Sequence, residues 1–113
     1  MNTFLPENLD KQPFLDEAKQ VLIGNRPESL FNRVGLPKSV DVRVENVEYL
    51  RGSGVYQIIF SCDPGEGWER VDSSRLVGVF SAAGYCLSYN SHADVFELVL
   101  SHDRYQTALG RWV

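Results

Sequence analysis

Two short runs, Ser91-His92-Ala93-Asp94 and Ser101-His102-Asp103, each place a hydroxyl, an imidazole and a carboxylate within four residues. These are the groups of a nucleophile, a general base and the acid that orients it. Functional triads converge from distant segments, however, and neighbours in sequence rarely point at one another. The spacing therefore reads as polar residues at strand ends, where Ser, Asn and Asp satisfy turns. Nor can the two imidazoles share a metal. If Asp94 to Ser101 is a straight strand, its ends lie about 20–25 Å apart at about 3.3 Å per residue. The chemistry that survives is an alternative small-ligand or enzyme site between helices and sheet, drawn from Cys86, Tyr89, His92 and Asp94.

A second group is the acidic, glycine-containing stretch from Asp63 to Arg70. Asp63, Glu66 and Glu69 offer carboxylates, but the alternating Asp spacing with a terminal Glu that a calcium loop needs is missing. Trp68 and Arg70 are residue types that anchor protein interfaces, and Trp112 stands beside Arg111 near the carboxyl end. Asp63, Glu66, Trp68, Arg70 and Trp112 are accordingly the candidate partner-binding residues. Against this stand two bland readings, Trp68 plugging an edge of the core and Trp112 closing an apolar helical stripe.

Cys62 and Cys86 are the only cysteines and have no CxxC spacing, so neither zinc nor a redox pair is expected. Both follow the apolar rhythm of strands, which predicts two buried thiols. No cofactor is expected, since no phosphate loop or dinucleotide fingerprint occurs in the chain.

The elements that must hold these residues are more legible. Val40, Val42 and Val44 alternate with Asp41, Arg43 and Glu45, and Tyr56, Ile58, Phe60 and Cys62 alternate beyond Arg51-Gly52-Ser53-Gly54. Period-two alternation around two glycines predicts a β-hairpin. The apolar phase shifts to Val47 and Tyr49, as a β-bulge near Glu45-Asn46 would require. Upstream, Phe14, Leu15, Ala18, Val21 and Leu22 form a helical stripe between Pro13 and Gly24. A second helix of about two turns starts at Asn25-Arg26-Pro27-Glu28, carries Leu30, Phe31 and Val34, and ends at Gly35.

From Asp72 to Gly84 the signals conflict. Asp72, Ser73 and Ser74 suit a helix start and Leu76, Phe80 and Ala83 keep helical spacing, while the run Leu76-Val77-Gly78-Val79-Phe80 suits a strand. The helix is favoured. A second hairpin joins Tyr85 to Tyr89 with Val95 to Leu100, and Tyr105, Ala108, Leu109 and Trp112 define a last helix. The expected architecture is one α+β domain over residues 13–113 in the order α-α-β-β-α-β-β-α, with an arm at 1–12. Four antiparallel strands carry helices on one face. This element order is similar to that of small acidic secretion chaperones, without any shared motif.

Composition narrows the function classes. The chain has 113 residues, 43% hydrophobic and 23% charged, and a formal charge of −4. One core is expected, and an acidic chain with eleven scattered Lys and Arg lacks the basic face that nucleic acid requires. No apolar run approaches the roughly 20 residues of a membrane span. Met1 to Pro6 has no basic region or cleavage site of a secretory signal, so a cytoplasmic location is expected. Together these point to a small acidic interaction module of the inhibitor, immunity, chaperone or adaptor type, without catalytic activity. Its expected partner is another protein, with no nucleic acid and no membrane. Few lysines guard its strands, so a homodimer through a sheet edge or the terminal helix is also expected.

Overall fold

Over the described residues 41–62 the alternation resolves into the expected hairpin, and Val40 lies outside the described residues. A computed structural model of the chain describes residues 11–36, 41–63 and 73–111. In it β1 (Asp41–Leu50) runs antiparallel to β2 (Val55–Asp63). The pairing register shifts between Val44 and Asn46. This is the expected bulge, and it is what lets Val42, Val44, Val47 and Tyr49 share one face, since an extra residue restores the phase. The second hairpin pairs β3 (Cys86–Asn90) with β4 (Val95–Ser101), and β4 inserts beside β2, giving the sheet order β1-β2-β4-β3.

Register then decides the core. Val42 lies opposite Cys62, Val44 opposite Phe60 and Val47 opposite Ile58. Phe60 and Ile58 in turn meet Phe96 and Leu98 on β4, and Leu87 on β3 meets Leu98. All of these project to one side, where Val42, Ile58, Phe60, Phe96 and Leu98 are buried. The other side carries Arg43, Glu48, Gln57, Ile59, Glu97, Val99, Ser88 and Cys86.

Among the described residues four helices cover the apolar side: α1 (Gln12–Ile23), α2 (Leu30–Arg33), α3 (Ser73–Ala82) and α4 (His102–Leu109). Ala18, Val21 and Leu22 of α1 are buried as their spacing requires, but Phe14 on the same stripe, one turn before Ala18, is 39% exposed. Helix α2 is shorter than expected. Pro27 does not open it; Ser29 takes an extended conformation as its N-cap, and its N–H is held by the Arg26 carbonyl in a preceding turn.

The disputed stretch is helical. Leu76 and Phe80 of α3 enter the core, and Gly84 at φ 86° ends the helix while the Tyr85 N–H bonds back to the Phe80 carbonyl at 2.9 Å. The Phe80 and Tyr85 rings meet edge to face at 6.0 Å, the apolar contact that accompanies such a cap. No helix among the described residues is long and apolar enough to cross a membrane. Of the arm expected at residues 1–12, residues 1–10 lie outside the described residues, and Gln12 is the first residue of α1.

Candidate aromatic rim at the end of the sheet

The residues singled out by sequence chemistry do not converge. On β3 successive side chains alternate, so Cys86 projects to the open face with Ser88, while Leu87 and Tyr89 face the helices. His92 and Asp94 stand in the exposed turn between β3 and β4. There Asp94 adopts φ 55°, the Asn90 Oδ1 accepts from the His92 and Ala93 N–H groups, and the Tyr89 hydroxyl donates to Asp94 Oδ1 at 2.5 Å. That hydrogen bond, ahead of burial, raises the Tyr89 pKa above its ordinary value. This set pins a hairpin. Its imidazole and thiol lie on different parts of the surface.

Ser101-His102-Asp103 likewise proves to be a helix start. The Ser101 hydroxyl accepts from the Arg104 N–H at 3.3 Å as the N-cap of α4, and Asp103 falls in the first turn, where the helix dipole favours negative charge. The expectation of two buried thiols needs correction as well. Cys62 is half-buried against the core, whereas Cys86 is exposed, because the alternation that turns Leu87 and Tyr89 toward the helices turns Cys86 outward. Among the described residues no three His, Cys, Asp or Glu side chains gather as a metal site. Glu66, Trp68, Arg70 and Trp112, and the side chain of Asp63, lie outside the described residues.

What does converge is a cluster of rings. Tyr49 and Tyr56 are cross-strand partners one pair inside the four-residue turn of the first hairpin, and their ring centroids are 4.7 Å apart. The His102 N–H, at the start of α4, donates to the Gly54 carbonyl of that turn at 3.1 Å. This ties the helix to the hairpin and brings the imidazole to 5.8 Å from Tyr56 and 5.9 Å from Tyr49. One helical turn later Tyr105 stacks on Tyr56 at 3.8 Å, with the rings 8° from parallel. Tyr105 is buried, Tyr49 and Tyr56 are half-buried, and His102 is exposed, so the cluster grades from core to solvent.

A polar brace supports the buried end. The Tyr105 hydroxyl donates to Glu17 Oε1 at 3.1 Å, and Arg111 donates to Glu17 Oε2 at 2.7 Å, joining α1 to the end of α4. Burial first, then the Glu17 charge and hydrogen bond, push the Tyr105 pKa far above its ordinary value. Burial also raises that of Tyr56, against the lowering effect of a hydrogen bond with Gln106. Both phenols stay neutral at physiological pH, which makes them hydrogen-bonding and stacking groups rather than bases.

Comparisons of the chain with protein-family models, with curated proteins and with solved structures find no match.

Proposed function

We propose that this chain is a small acidic protein-interaction module without catalytic activity, binding a partner through the rim formed by Tyr49, Tyr56 and His102. The observation that carries this reading is a graded aromatic cluster, anchored in the core by Tyr105 and open to solvent at His102. Rigid aromatic side chains offer large contact area at little entropic cost, which is why such residues dominate interface energetics. Asp63, Glu66, Trp68, Arg70 and Trp112 are proposed as further partner-binding residues. The proposal includes a cytoplasmic location and self-association as a homodimer.

The test is affinity capture from native lysate by the wild-type chain and by His102→Ala, with mass-spectrometric identification and melting curves in parallel. The expected result is a partner retained by the wild type and weakened at least about 30-fold by His102→Ala, the size of an interface hot spot. Melting should be almost unchanged, because His102 is exposed. Equal capture by both proteins removes the rim from the interface.

A further inference from the structure

The two edges of the sheet are built differently. β1 has the features that discourage strand addition: a bulge at its middle and the charges of Asp41, Arg43, Glu45 and Glu48. β3, at the other edge, has neither bulge nor charge in Cys86-Leu87-Ser88-Tyr89-Asn90. Helix α3 packs on its inner side through Leu76 and Phe80 but contributes no strand beyond it.

The register identifies which main-chain groups of β3 are turned away from β4. Asn90 and Val95 are the pair that closes the hairpin turn, and in an antiparallel ladder alternate residues turn their N–H and C=O groups away from the neighbour. The outward groups of β3 are therefore those of Leu87 and Tyr89. Among the described residues β4 is the one strand beside β3, and no turn or loop backbone bonds to these groups. The Tyr85 N–H, two residues earlier on the same side, is already taken by Phe80 of α3.

We infer that this edge pairs with a second copy of itself, β3 antiparallel to β3 about a two-fold axis at Ser88. The strand is symmetric about that residue: small or polar at 86, 88 and 90, apolar at 87 and 89. A two-fold axis there sets Leu87 opposite Tyr89 of the second copy, so the open main-chain groups meet as hydrogen-bonded pairs and the apolar row continues across the seam. Cys86 then faces Asn90 of the second copy and Ser88 faces Ser88, which brings no charges together. A shift of one residue would set Leu87 and Tyr89 against the polar row and lose the match. Five residues span only about 17 Å, too short a seam to bury the roughly 800 Å² per partner of a tight interface, so the dimer dissociates in the micromolar range.

This inference rests on the self-association reading, and two variants separate them. Ser88→Lys places an ammonium beside Glu97, its cross-strand neighbour on β4, so the monomer keeps its fold, but sets two like charges opposite each other at the axis. Sedimentation from low to high micromolar concentration should show a wild-type dimer whose dissociation constant rises at least about tenfold in Ser88→Lys. Ser88→Cys in a Cys86→Ser background should form a covalent dimer under mild oxidation, because non-hydrogen-bonded partners lie about 4.5 Å apart at Cα, within disulfide reach. Cys86→Ser alone is the control and should stay uncrosslinked. A chain that is monomeric at every concentration overturns both readings. A dimer that ignores Ser88→Lys and leaves Ser88→Cys uncrosslinked overturns the seam alone.

Discussion

At the scale of single residues, Tyr105 has the most readily measured consequence. Its folded-state pKa is raised, by burial first and then by Glu17, whereas in the unfolded chain a tyrosine titrates near its ordinary value of about 10. Above that pH the unfolded state has lost a proton that the folded state keeps. The stabilising contribution is therefore complete below about pH 10 and declines as pH rises, by up to about 1.4 kcal/mol per pH unit. Urea unfolding between pH 7 and pH 11 should show this alkaline decline, and Tyr105→Phe should reduce its slope. The same variant should be about 1 kcal/mol less stable at neutral pH, because it deletes the hydrogen bond to Glu17. Sequence reading missed the ring cluster although its signals were present. Tyr49 and Tyr56 sit symmetrically about Arg51-Gly52-Ser53-Gly54, which makes them cross-strand partners, and Tyr105 follows His102 by one helical turn. The apolar character of cysteine argues for burial of Cys86, but strict alternation puts it with Ser88 and Asn90, away from Leu87. A thiol reagent should accordingly label Cys86 rapidly in the native protein and Cys62 only slowly until denaturant is added.

At the scale of elements, α3 shows where local signals sufficed and where they competed. Val77-Gly78-Val79 favours a strand by propensity, yet Leu76 and Phe80 are both buried only at helical spacing, and the Gly84-Tyr85 cap secures the end. Burial of two large side chains on one stripe outweighs a propensity penalty of about 1 kcal/mol from one glycine. Gly78 itself is exposed, and a Cβ there would meet nothing within 4 Å. Gly78→Ala should therefore stabilise the chain by about 0.5–1 kcal/mol in urea unfolding. A loss of stability would mean that a neighbour approaches the bare backbone. The bulge in β1 was legible because a phase change is a local event. The truncation of α2 was not: Pro27 and Ser29 are both good openers, and the choice was made by the buried Ser29, whose hydroxyl accepts from the Asn32 amide at 2.7 Å.

At the scale of the whole molecule, the order β1-β2-β4-β3 with all four helices on one side makes adjacent residues of a central strand energetically unequal. Phe60 is fully buried, stacked on Phe96 at 5.4 Å, while Ile59, its neighbour on β2, lies across from Glu97 on the open face. Alternation in sequence showed that the two sides differ. It could not show how far each helix extends over the sheet, as the exposed Phe14 demonstrates, because coverage depends on packing between segments distant in the chain. Phe60→Ala removes a ring from the middle of the layer, where the cavity left behind adds to the lost transfer energy, for a cost of about 3–5 kcal/mol. Against a total of about 5–15 kcal/mol, this should lower the melting temperature by more than about 10 °C. Ile59→Thr keeps β-branching on a half-exposed site and should cost less than about 1 kcal/mol. Denaturation of the two variants side by side measures the one-sidedness of the sheet directly. Comparable losses would mean that the face bearing Ile59, Val99 and Glu97 is covered as completely as the face bearing Phe60.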